Sequence, residues 1–329
     1  MGVKYIFWNN EEFRVRAGWR IISQLILVAV FTNVFVYADK YFKEYLPSNP
    51  SIPNYSFFQP LELFMAIFLS MLITAKYLDK RKMSEFGFHI DKKWISDLSA
   101  GLIMGIILIS AIFTTEYLAG WITITGSFQT ANDDYSFSYA IISSGFMFLC
   151  VGFYEEMQVR GYLLKNLSEG FNLKNDPKRG ILIAVLISSL IFGFGHASNP
   201  NATLVSSISI SLAGILLASG YLITGRLAIP IGFHISWNFF QGYVFGFPVS
   251  GNTSSASIII IEQGGPDIWT GGSFGPEAGL IGILSFILGI FLTILWVKYN
   301  DKKIELNMDI AEYKIPHTQK NELIEKVIE

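Results

Sequence analysis

One cysteine, Cys150, occurs in 329 residues. It lies inside an apolar run, so no internal disulfide and no thiolate metal cluster can form, and it reads as a small buried hydrophobe. Charge is also scarce. Only 15% of residues are charged while 51% are hydrophobic, and the mean hydropathy is +0.43. That composition excludes an ordinary soluble globule and points to a polytopic membrane protein. The net charge of −2 says less than where the charges sit. The chain has no Walker loop, no dinucleotide fingerprint, no His-Glu-x-x-His and no basic face for nucleic acid. Met1 to Arg20 is polar and basic with no small-residue cleavage pattern after the first apolar run, so no cleaved signal peptide is expected. Ile6 stands where myristoylation requires Ser or Thr.

What is present is a series of long apolar runs. Eight approach the length a bilayer needs, at about 19–37, 57–77, 97–117, 139–164, 181–197, 203–223, 227–247 and 276–298. Aromatics mark many ends, among them Trp19, Tyr37, Tyr77, Trp94, Tyr117, Trp296 and Tyr299, as in interfacial belts. Pro47, Pro50, Pro53, Pro177, Pro200 and Pro266 fall in connections, and Pro230 falls in a first turn, where its missing N–H costs least. With eight spans, 21 of the 24 lysines and arginines lie on one face, only Lys40 and Lys43 lie on the other, and Arg160 lies within a run. A wrong span count would scramble that alternation. The expectation is an all-α protein of about eight transmembrane helices with both termini cytoplasmic. Gly101-x-x-x-Gly105 and the stripe Ser207, Ser211, Gly214, Ala218 read as places where helices approach closely.

Ionisable groups inside apolar runs are costly, about +2.5 to +3.5 kcal/mol per charge on insertion scales. Three helical signatures carry them: Glu155-Glu156-x-x-x-Arg160, Phe192-x-x-x-His196 and His234-x-x-x-Asn238. Residues four apart share a helix face, so Glu156 and Arg160 can pair and lower each other's burial cost. Glu155, rotated about 100° away, is then left for proton chemistry. Phe192 can pack on the imidazole of His196 and fix it. His234 and Asn238 present an imidazole and a carboxamide together, a pair suited to a metal, to an oxyanion, or to gluing helices. The remaining histidines, His89 and His317, sit in polar segments.

In this order the three motifs resemble the CPBP family of intramembrane proteases, the CAAX prenyl protease and bacteriocin-processing (Abi-like) group. Arg160-Gly161-Tyr162-Leu163-Leu164 and Pro230-Ile231-Gly232-Phe233 add to the likeness, and Gly271-Gly272-Ser273-Phe274-Gly275-Pro276-Glu277 reads like bacterial members. The resemblance covers roughly residues 140–245. It implies peptide-bond hydrolysis within the bilayer by Glu155, Glu156, Arg160, His196, His234 and Asn238. Glu155, helped by His196, would activate water, His234 and Asn238 would stabilise the oxyanion, and Glu156 with Arg160 would hold the helix face.

The resemblance leaves the cofactor open: zinc or another divalent ion on Glu155, His196, His234 and Asn238, or a metal-free reaction. It implies as partners the lipid bilayer and a peptide or protein substrate, prenylated in the CAAX branch, with no nucleic acid. The expected organisation is three N-terminal spans in 1–138, a catalytic core in 139–247, an outer loop and last span in 248–298, and a cytoplasmic tail in 299–329, all in a bacterial inner membrane. Because the motif residues sit at unequal depths in their runs, the fourth helix is expected to extend into the cytoplasm or the fifth to start deeper, with a cavity opening on the cytoplasmic side. A proton-coupled transporter and a non-catalytic immunity or binding protein remain the competing readings.

Overall fold

The apolar runs fold into helices whose starts are set by short polar side chains. Asp91, Ser136, Asp176 and Thr203 each accept a hydrogen bond from a backbone N–H in the first turn, and Pro177 follows Asp176 at the first helical position. This computed structural model describes residues 4–45, 58–131, 136–302 and 304–315. Pro47, Pro50, Pro53 and His317 lie outside the described residues.

The helices are α1 (Ala17–Tyr45), α2 (Phe58–Thr74), α3 (Lys92–Leu118), α4 (Phe137–Glu156), α5 (Pro177–Gly195), α6 (Leu204–Thr224), α7 (Ala228–Phe239) and α8 (Leu280–Asp301). Short strands β1 (Trp8–Asn9) and β2 (Arg14–Val15) pair ahead of α1. Seven of the helices are long and apolar enough to cross a membrane. The chain is a multi-pass membrane protein. Large apolar side chains such as Ile22, Leu25, Ile26, Val30 and Val34 on α1 are exposed, as expected of a surface that faces lipid.

Two runs differ from the pattern read in the sequence. The fourth does not stop at 164. After Glu156 the chain continues through a π-helical stretch, Met157–Leu164, and a last turn, Lys165–Gly170, to make one 34-residue span. The run at 227–247 becomes α7, of 12 residues, continued by the five π-helical residues Phe240–Val244. From Ala228 to Trp237 every residue of α7 except Ile235 is buried. A helix enclosed by its neighbours need not match the bilayer in length. π-helical stretches cluster at functional sites, and here they directly follow the Glu155–Glu156 pair and nearly follow Asn238.

Glycines fix how α7 is wedged in. A Cβ on Gly101 of α3 would stand 2.2 Å from the Ile229 carbonyl oxygen, and one on Gly232 of α7 would stand 2.2 Å from that of Leu98. Between α5 and α6, a Cβ on Gly193 would meet Ser211 Oγ at 2.1 Å and the Ser207 carbonyl at 2.3 Å. The small-residue stripe of α6 is therefore a packing seam.

The two faces of the bundle are built differently. At one, β3 (Ile122–Thr130) pairs antiparallel with β4 (Ala256–Gln263) from Ile122↔Gln263 to Thr130↔Ala256, with a register shift between Ile124 and Gly126. These strands occupy segments that read as outer loops. At the other, basic face, Arg14, Arg20 and Arg81 all donate to Glu169 at 2.6–2.8 Å. Arg20 also pairs with Asp79 at 3.2 Å, and Tyr162 donates to Asp79 at 2.9 Å. Three of the arginines counted on the basic face are thus a buried knot, because the lengthened α4 carries Glu169 beneath them. Residues 304–315 strap across this knot: Asn172 donates to the Ala311 carbonyl, Lys165 to that of Asp309 and Arg81 to that of Glu312. The Arg14 guanidinium stacks on the Tyr313 ring at 3.5 Å.

Candidate active site

Glu156 is fully buried, and one of its oxygens serves two partners. Oε1 accepts from Arg160 Nη1 at 2.9 Å, as the i, i+4 spacing predicts, and from Nδ1–H of His234 at 2.8 Å. The second contact joins α4 to α7 and holds the His234 ring by one nitrogen. The other nitrogen, Nε2, is turned to Glu155, 3.8 Å from its Oε2. Glu155 retains 22% of its side-chain exposure where Glu156 has none. The two adjacent carboxylates therefore part company: one is a buried anchor and the other faces a cavity.

Phe192 is the second anchor. The Arg160 guanidinium lies 4.2 Å from its ring centroid, within cation–π range. The same ring meets His196 edge-on at 5.0 Å and His234 at 6.2 Å. Arg160 also donates to the Gly214 carbonyl of α6 at 3.3 Å, so this one buried side chain ties α4 to α5 and α6. His196 caps the end of α5, and its Nδ1–H donates to the Phe192 carbonyl at 2.8 Å. In the neutral ring that bond leaves the lone pair on Nε2.

Glu155, His196, His234 and Asn238 all line one cavity of about 390 Å³. Its walls are apolar, with Val151, Ile210, Leu216, Leu217, Phe233, Trp237 and Phe286 among them. Its polar rim comes from Asn199, Ser250, Asn252, Thr253 and Ser254, and Asn252 and Thr253 are exposed. The rim lies on the sheet face, since α5 and α7 run from the basic face towards it. This overturns the expectation of a cavity opening beside the basic loops. The reason is depth: the extension of α4 lengthens the basic side, and the 248–254 segment stands at the other end. The imidazole that faces Glu155 is that of His234, and His196 lines the same cavity.

Residues 137–240 match a family model described as type II CAAX prenyl endopeptidase Rce1-like. No curated protein and no solved structure matches the chain. Residues 137–240 are an Rce1-like domain. The Rce1-like domain begins at α4, ends one residue beyond α7 and contains all six motif residues.

Among the described residues no group of three or more His, Cys, Asp or Glu side chains could hold a metal ion. Glu156 is already committed to Arg160 and His234, whereas the Nδ1 bonds leave Nε2 of both histidines free. As arranged, Glu155, His196 and His234 do not form such a group, and no step below passes through a metal.

Residues outside the Rce1-like domain complete the cavity, and motif reading missed them. Glu277 lines it while only 3% exposed. Ser250, also outside that domain, stands beside it on the rim and donates to it. The Gly-Gly-Ser-Phe-Gly-Pro-Glu segment was the available signal, since it ends on a carboxylate within an otherwise uncharged stretch.

Proposed function

We propose that the protein is an intramembrane endopeptidase in which Glu155 activates the attacking water. What supports this reading is the division of labour between adjacent carboxylates, with Glu156 bound to Arg160 and His234 and Glu155 turned to His234 Nε2 over the cavity. Glu155 accepts a proton from water as the oxygen attacks the scissile carbonyl carbon. The resulting oxyanion accepts hydrogen bonds from the Asn238 amide and, when its Nε2 carries a proton, from His234. The proton held by Glu155 then passes to the leaving amine as the C–N bond breaks. Glu156 and Arg160 keep the His234 ring in place, and His196 offers Nε2 to water or substrate from the upper wall.

The substrate is a membrane-associated peptide or protein, either a lipidated CAAX-like chain end or a leader peptide. The apolar wall supports such a chain. The protein would reside in a bacterial inner membrane with both termini cytoplasmic, as the basic loops indicate. Cleavage of a CAAX-type and a leader-peptide library by purified protein tests the reading. Turnover should be abolished by Glu155→Ala, and a chelator arm decides whether any metal takes part. Equal inertness of folded wild type and variant towards both libraries would overturn it.

A further inference from the structure

A line of hydrogen bonds crosses the sheet-face rim of the cavity. It starts at the end of α5, where the Asn199 backbone N–H donates to the His196 carbonyl at 3.0 Å. The Asn199 side chain donates to the Ser250 carbonyl at 2.9 Å. Ser250 in turn gives its backbone N–H, at 2.5 Å, and its hydroxyl, at 3.2 Å, to Glu277 Oε1. Glu277 Oε2 accepts from Gln241 Nε2, which also donates to the Pro248 carbonyl. Gln241 lies in the π-helical turn three residues past Asn238. The line therefore connects the ends of the two histidine motifs by way of the 248–252 loop.

The loop is closely fitted where it crosses. Gly251 has φ +83° and a Cβ there would stand 1.8 Å from the Pro200 carbonyl oxygen, so only glycine lets the loop lie on the turn that follows His196. Its N–H donates to the Phe274 carbonyl at 2.7 Å. Glu277 is the centre of this arrangement. Among the described residues no lysine or arginine pairs with it, and burial pushes its carboxyl up to about 7. A buried carboxyl held by neutral donors alone is an expensive way to close a loop. The carboxylate accepts from both sides at once, whereas a glutamine would set an NH₂ against a donor on one side.

We propose that Glu277 is a positioning residue for substrate binding: it fixes the 248–252 loop between the His196 and Asn238 ends and so sets the width of the way into the cavity. The kinetic part rests on the peptidase reading, whereas the geometric part does not. The test uses full-length protein in detergent with two readouts. For a cleaved peptide, Glu277→Gln should raise KM about 5- to 20-fold and leave kcat within about threefold. Independently of catalysis, a cavity-wall cysteine, Ala213→Cys in a Cys150→Ser background, should react with a small maleimide at least about threefold faster once Glu277→Gln is added, because cysteine reactivity follows access.

Gln241→Leu cuts the line on the other side of the carboxylate and should act in the same direction, which keeps the proposal testable if Glu277→Gln does not fold. Faster labelling in a protein that cleaves no peptide would uphold the positioning role while defeating the peptidase reading. Unchanged KM together with unchanged labelling would overturn the proposal, as would a fall in kcat with KM constant.

Discussion

At the scale of single residues, the site turns on two neighbouring glutamates with opposite duties. Glu156 is fully buried and holds Arg160 and His234, so its removal leaves a guanidinium without its counter-charge. Breaking such a pair costs about 3–5 kcal/mol. Glu155 is partly exposed to the cavity and holds up little else. Glu155→Gln should therefore lower kcat by about 10²–10⁴-fold, the range of a general base, while the thermal midpoint in detergent barely moves. Glu156→Gln should lower both activity and midpoint. Measuring kcat beside thermal unfolding for the two variants checks this, and equal midpoints would contradict the assignment of roles. The Glu156–Arg160 pair was legible in the sequence because it depends only on helical spacing. The Glu156–His234 bond spans 78 positions, and no local pattern encodes it. The Phe192 motif was legible only in part: spacing gives the contact with His196, whereas the Arg160 and His234 contacts come from helices brought together by the fold.

At the scale of elements, hydropathy located every run, because a lipid-exposed helix must be apolar along its length. It misjudged lengths where lipid is not the neighbour. α7 is enclosed, so its run extends past its regular helix, and α4 continues past its apolar run because Glu169 finds three arginines beyond it. The π-helical stretches leave no periodicity strong enough to read. Glycine spacing was informative where backbones touch. Gly193 and Gly195 give an internal comparison on one helix. A methyl group on Gly193 would collide with the Ser207 carbonyl and Ser211 Oγ, whereas nothing lies within 4 Å of one on Gly195. Gly193→Ala should lower stability by about 1–3 kcal/mol, the cost of overpacking. Gly195→Ala should be neutral or slightly stabilising, by up to about 1 kcal/mol from helix propensity. Denaturation of the two variants in the same detergent measures the difference, and matching losses would show that the α5–α6 seam is not as close as described.

At the scale of the whole molecule, the chain separates stability from chemistry along one helix. α4 and its extension carry Glu155 and Glu156 in the cavity, then Glu169 in the charged knot about 21 Å further along at 1.5 Å per residue. The knot gathers the segment before α1, α1 itself, the segment after α2 and the 304–315 strap around one carboxylate, so it closes the basic face. The cavity instead meets solvent at the sheet face, and no knot residue lines it. Charge patterning revealed the first face but not the second, because basic residues mark where charge accumulates and the rim is built of uncharged Asn, Ser and Thr. The separation predicts an asymmetric response. Glu169→Gln leaves Arg14 and Arg81 without their shared buried partner and should cost about 3–5 kcal/mol of stability. Its folded fraction should still cleave peptide with a kcat within a few-fold of wild type, because the Glu156–His234 bond is untouched. Thermal unfolding with activity normalised to monodisperse protein reads both quantities. A large fall in normalised kcat would mean that the knot governs the geometry of the cavity as well as the closure of the basic face.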